Sequence, residues 1–236
     1  MQKKITIQEK SKRSSRYIES SKLIEKNKVY SIEEAIELAK QTANIKFIPS
    51  IEVHIKLGID LNKTDQQVKG TVILPYGTGK QKRIAVFAEG EKQDEAKKAG
   101  ADIVGGEELI EELIKNPDIN FDVVITTPIM MPKLAKLSKI LGPKGLMPNP
   151  KTGTVTMDIK KAVEEQKAGK IVFRNDKTGN IHQIIGRTDF DSNKLIENYK
   201  ALINAVKAAK PETVKRSFIK NISINSTMGP GIKVAF

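Results

Sequence analysis

The chain has 236 residues, with 41 Lys/Arg against 28 Asp/Glu, a formal charge of +13 and no cysteine. Disulfides and cysteine-held metals are thereby excluded, and the two histidines, His54 and His182, match no metal-ligand spacing. So large a positive excess points to a polyanionic partner, of which nucleic acid is the commonest, while no apolar run reaches the roughly 20 residues that a membrane span needs.

The basic start, MQKKITIQEKSKRSSRY, lacks the apolar stretch of a secretory signal. The Glu-containing helical segment after it argues against a transit peptide, so the protein is expected to be made in the compartment where it works. Ser31 followed by Glu34 forms a capping box that opens a helix through Ile36, Leu38 and Ala39 to about residue 43. In IEVHIKLGI, Ile51, Val53, Ile55, Leu57 and Ile59 alternate with polar residues, which predicts a half-buried strand. A short apolar run, Val72-Ile73-Leu74, ends at Pro75.

From residue 84 the pattern changes. RIAVFAEG, ADIVGG and FDVVITTP are short apolar strands, each followed by a helical segment: EKQDEAKKAG, EELIEELIKN and MMPKLAKLSKIL. This alternation predicts β-α-β units and a small parallel sheet with helices on its faces, connected by right-handed crossovers. A further helix spans about 158–167. IVFRND and IHQIIGR then flank Lys177-Thr178-Gly179, a hairpin turn with glycine at the positive-φ position. A long helix from about 192 to 209 stops at Lys210-Pro211, and FIKNISINS forms a last strand before Thr227-Met228-Gly229-Pro230.

Charge follows the same division. Residues 1–75 hold 14 basic and 9 acidic side chains, residues 76–156 hold 12 and 11, and residues 157–236 hold 15 and 8. The ends are basic and the middle nearly neutral. The two termini are therefore expected to fold together as one basic domain (1–75 plus 157–236), with 76–156 inserted between them.

Several features suggest catalysis and fail on spacing. LPYGTGK lacks a phosphate-binding loop's first glycine, having Leu74 there, and its Ser/Thr after the lysine, having Gln81. Gly100, Gly105 and Gly106 do not make G-x-G-x-x-G. No nucleophile elbow, paired carboxylate constellation or Cys/His pair is present. The acidic cluster Glu107, Glu108, Glu111 and Glu112 has the spacing of a solvated helix face. Nothing supports an enzyme, and no cofactor is implied.

The stretch LGPKGLMPNPKTGTV (141–155) sets Gly142, Pro143, Gly145, Pro148, Pro150 and Gly153 around Lys144 and Lys151. Proline removes donors and glycine supplies unusual φ angles, so the segment must be irregular. Its position predicts an interdomain hinge. Here the sequence closely resembles the "L-one" family of large-subunit ribosomal proteins, in its bacterial or plastid branch. AKQTANIKF, KLGID, TDQQVKGTVILPYGTGK, FDVVITTP, LGPKGLMPNPKTGTV, FRNDKTGNIH and STMGPG occur in the family's order along nearly the whole chain.

The resemblance implies an α/β protein of two domains: a basic open α/β sandwich built from both termini, and an inserted Rossmann-like three-layer α/β domain. It implies binding to the mobile stalk of large-subunit rRNA, contact with deacylated tRNA leaving the exit site, and, in bacterial relatives, repression of the protein's own mRNA. It also implies a monomer when free. The family's RNA contacts fall on Lys46 and Phe47; on Ser50, Glu52 and Lys56 of the adjacent strand; on Asp176 and Lys177 in the turn; and on Ser226, Thr227, Met228 and Gly229. Lysines supply phosphate contacts, the hydroxyls of Ser226 and Thr227 suit 2′-hydroxyls or base edges, and Phe47 and Met228 suit sugars or splayed bases. Without the resemblance, Phe47 would be expected in the core and Met228 as a strand-end filler. Abundant Lys, Ile and Asn suggest an AT-rich genome, so the ribosome in question is expected in a plastid stroma or a bacterial cytoplasm.

Overall fold

The computed structural model describes residues 14–25, 28–61, 63–116, 120–214 and 217–236; the basic run at 1–13 lies outside them. In chain order the helices and strands are α1 (Ser15–Lys22), α2 (Ile32–Gln41), β1 (Ser50–Leu57), β2 (Lys69–Ile73), β3 (Ile84–Phe87), α3 (Glu91–Lys98), β4 (Ile103–Gly105), α4 (Glu107–Lys115) and β5 (Val123–Thr126). They continue with α5 (Met131–Leu134), α6 (Ser138–Leu141), α7 (Ile159–Lys167), β6 (Lys170–Arg174), β7 (Asn180–Arg187), α8 (Ser192–Ala208), β8 (Ile219–Ser226) and β9 (Ile232–Val234). Among the described residues no helix is long and apolar enough to cross a membrane.

One sheet joins the two ends of the chain. Its order is β7-β1-β8-β9, and every neighbouring pair is antiparallel. Along β1 the predicted alternation places Ile51, Val53, Ile55 and Leu57 in the core. They meet Ile36 and Ala39 of α2 and Leu195, Tyr199, Leu202 and Val206 of α8. The capping box that starts α2 is formed as expected: Ser31 Oγ accepts from Glu34 N, and Glu34 Oε2 accepts from Ser31 N, each at 3.3 Å. Among the described residues, only this face is covered by helices. The opposite one carries Glu52, His54 and Lys56, all partly exposed.

The middle sheet has the order β4-β3-β5 and is parallel throughout. Moving outward from β3 to β4 and back across to β5 sends right-handed crossovers to opposite faces. Alternation along β3 reflects this: Ala85 and Phe87 pack with Ile110, Leu113, Met130 and Leu134, whereas Ile84 and Val86 pack with Ala96, Ile159, Ala162 and Val163. The second group includes α7. That helix was expected within the terminal domain, beyond a boundary at 156/157, yet its apolar face covers the middle sheet.

Two further expectations are corrected. The strands flanking Lys177-Thr178-Gly179 do not pair as a hairpin: β6 pairs with β2 in a separate two-stranded sheet, while β7 pairs with β1. The chain also passes between its two larger sheets near residues 74–83 and 168–170, not at 141–155. Gly142, Pro143, Gly145, Pro148, Pro150 and Gly153 lie within the middle unit, where Leu146 and Met147 pack against its core. The segment is tied back by the Thr126–Val155 bridge and by Asn149, whose carbonyl accepts from Thr152 and Thr154. At the true crossings Gly77 and Gly169 both have positive φ, and a Cβ on Gly169 would stand 2.4 Å from Gly77 Cα. Buried Asn198 of α8 holds this point, accepting from Tyr76 N and donating to the carbonyls of Gly77 and Ile185.

Candidate nucleic-acid interface

The Thr227-Met228-Gly229 motif follows β8 directly, and its geometry is set by β1. Thr227 N donates to the Ser50 carbonyl at 2.9 Å, and Ser50 N donates to Thr227 Oγ1 at 3.1 Å. The same hydroxyl lies 3.3 Å from Glu52 Oε1, to which it can donate. The Ser50 carbonyl, at 3.2 Å, is the alternative acceptor for that hydroxyl, so Glu52 is one of two groups that can hold it.

Met228 has φ +64°, unlike every other non-glycine among the described residues, and it is 67% exposed. A left-handed methionine costs about 1–3 kcal/mol and persists only where its surroundings impose it. Those surroundings are Arg16 of α1, whose guanidinium donates to the Met228 carbonyl at 3.1 Å, and Gly229 N, which donates to the Ser226 carbonyl at 2.7 Å. Gly229 is required by close approach, because a Cβ there would lie 2.3 Å from Ser226 Oγ. Ser226 itself is fully buried and its hydroxyl finds no partner among the described residues. Its expected contact with a 2′-hydroxyl is therefore corrected: it supports the turn from beneath. Ser50 is likewise buried and contributes backbone.

Lys46, Phe47 and Ile48 precede β1 on an exposed loop, with Phe47 56% accessible. Phe47 is therefore not a core residue. The third group lies at the far end of β1. Lys56 Nζ donates to the Thr178 carbonyl at 2.6 Å, so β1 and the 176–179 turn form one surface, with Lys177 exposed upon it. Asp176 organises that turn. It accepts from the backbone N–H groups of Thr178 and Asn180 and from the Thr178 hydroxyl. These bonds, the Asn180 amide foremost, hold its carboxyl well below the usual carboxylate range. Gly179 closes the turn at φ +76°, as the sequence predicted.

The expected residues thus follow one strand, from Phe47 and Thr227 at its start to Lys56 and Lys177 at its end. Sequence reasoning missed Arg16, which the basic N-terminal composition hints at, and it set aside His54 and His182, which lie on the same face between the two ends. Among the described residues no group of three His, Cys, Asp or Glu could hold a metal ion.

The "Ribosomal protein L1p/L10e family" model matches residues 37–230 of the chain. The chain belongs to this family. It is also 54% identical, over 94% of its length and 98% of the relative's, to the "Large ribosomal subunit protein uL1" of Mycoplasma capricolum subsp. capricolum. The family match runs from within α2 through the Thr227-Met228-Gly229 motif and takes in β1, β7 and β8.

Proposed function

We propose that the chain is a structural, non-catalytic component of the large ribosomal subunit that grips the mobile stalk of its rRNA beside the tRNA exit site. The observation that carries this is the alignment of exposed Phe47, Met228 and Lys177 with half-exposed Lys56 along one bare sheet face, tied together by the Ser50–Thr227 and Lys56–Thr178 hydrogen bonds. Such a surface offers cations to phosphates and flat or flexible apolar groups to splayed bases, the combination by which folded RNA is recognised. Movement of the stalk with this protein attached would assist the release of deacylated tRNA.

The test is binding of the whole chain to a stalk rRNA fragment and to an unrelated hairpin of equal length at physiological salt. A stalk preference of about a thousandfold or more, the low end of specific recognition, is expected; equal binding would reduce the +13 charge to a nonspecific polycation. Repression of its own messenger would use the same face on a similar RNA structure. Sedimentation of the protein with large subunits in lysate separates a resident ribosomal protein from a free repressor.

A further inference from the structure

His54 on β1 and His182 on β7 are opposed in register, with Nδ1 atoms 2.7 Å apart and ring centroids 4.9 Å apart at 62°. At that distance one ring must donate to the other. His54 Nε2 lies 2.5 Å from Asn225 Oδ1. The Asn225 amide is oriented by its Nδ2, which donates to the Ser226 carbonyl at 3.1 Å, so Oδ1 can only accept and His54 Nε2 carries hydrogen. At the other end, His182 Nε2 faces Asp176 Oδ2 at 3.4 Å. Asp176 is an ionised carboxylate, so it too can only accept.

The chain of contacts from Asn225 to Asp176 therefore needs three hydrogens on two rings. Two neutral imidazoles supply only two. We propose that His54 and His182 share one additional proton and together form a further RNA contact, a single positive charge offered to a phosphate between the Thr227 and Lys177 ends of the site.

Charged groups approach the pair from β1, from the 176–179 turn and from β9. On β1, Glu52 Oε2 is 3.9 Å from His54 Nε2, while Lys56 is turned to the Thr178 carbonyl. The turn before β7 contributes Asp176 and Lys177, and the register neighbours of His182 on that face, Asn180 and Ile184, are neutral. β8 presents only Asn221, Ser223 and Asn225; beyond it β9 places Lys233 opposite Ser223. Two carboxylates thus flank the pair directly. His182 has 52% of its side chain exposed, so the charge lies at the surface although both of its ring nitrogens are engaged.

This inference rests on the RNA-binding reading above, and its test keeps the two apart. Stalk-fragment affinity of the full chain is measured at fixed ionic strength from about pH 5 to 8, where histidine changes charge, beside nitrogen-resolved imidazole spectra of the free protein. The spectra should show His54 protonated at Nε2 and the pair carrying three hydrogens at about pH 6. Affinity should then fall as pH rises, by at most about tenfold per unit, the limit for one linked proton. His182→Asn should flatten this dependence, and His54→Gln should do the same if the first variant disturbs the sheet.

A flat wild-type profile, or an equal slope in both variants, with stalk preference intact, overturns the histidine contact alone. Loss of stalk preference overturns the proposed function, and the spectra then decide the pair: two neutral rings at about pH 6 overturn it.

Discussion

The two larger sheets bury their apolar side chains in different ways, and the difference decides which of them keeps a bare face. The middle sheet is parallel, so its connections must cross its faces, and helices cover both. Phe87 on one side and Val86 on the other are fully buried. The terminal sheet is antiparallel, and α2 and α8 cover one side of it. Its other side keeps Glu52, His54 and Lys56 in reach of a ligand. Charge is distributed in the same way, with 12 basic and 11 acidic side chains in residues 76–156 against a clear basic excess at both ends. A covered sheet can contribute only packing, whereas a half-covered one retains a face on which a site can be built.

The largest expected effect tests that separation. Phe87→Ala should destabilise the protein by about 3–5 kcal/mol, the usual cost of removing a buried phenylalanine, as read from urea unfolding. Stalk-RNA affinity, measured where the variant is still folded by circular dichroism, should change less than about threefold, the scatter of independent sites. A large loss of affinity in the folded variant would mean that the covered sheet takes part in recognition.

The converse change acts on the bare face. Gly229→Ala should lower stalk affinity by about ten- to a hundredfold, about 1.4–2.8 kcal/mol, because its Cβ would meet Ser226 Oγ at 2.3 Å and displace Met228. Adding Ser226→Ala removes the clashing hydroxyl and should restore part of the affinity, since that hydroxyl has no partner to lose among the described residues. No rescue would mean that the Ser226 carbonyl, 3.1 Å from the same position, dominates the clash. Lys56→Gln should weaken binding more modestly and uniformly across RNA sequences. It should also reduce the slope of log affinity against log salt by about 0.7–0.9, one phosphate contact; an unchanged slope would show that Lys56 serves only to hold the Thr178 carbonyl.

Features written in local pattern were legible in the sequence. The Ser31–Glu34 box, the alternation along β1 and the three β-α repeats of the middle sheet each depend on neighbours a few residues apart. Long-range choices were not. Gly179 signals a turn, but which strands β6 and β7 join depends on β2 and β1, more than a hundred residues earlier. α7 has an apolar face, Ile159, Ala162 and Val163, that would suit either sheet; only the assembled core shows which it covers. The Gly/Pro content of 141–155 correctly implied irregular backbone and said nothing of where the chain crosses. The site was half legible. Its residues were carried by resemblance to a family, whereas the burial of Ser226, the left-handed Met228 and the apposition of His54 with His182 are properties of the folded sheet.

The smallest effect at neutral pH concerns the covered side of the terminal sheet. Tyr199 of α8 is 2% exposed and its hydroxyl has no partner among the described residues. Burial disfavours the phenolate and pushes its pKa up to about 12. Tyr199→Phe should therefore leave stability nearly unchanged at neutral pH, or raise it slightly, because an unpaired buried hydroxyl is removed. The two proteins should separate in alkali. Above about pH 10 the unfolded tyrosine ionises while the folded one does not, so the unfolded state binds fewer protons and wild-type stability falls as pH rises. That fall continues until the folded group also ionises near pH 12. The phenylalanine variant lacks this contribution, so urea midpoints of the two should diverge between about pH 10 and 12. Parallel curves would show that water reaches the hydroxyl, and that the helical side of the sheet is less completely closed than its apolar contacts imply.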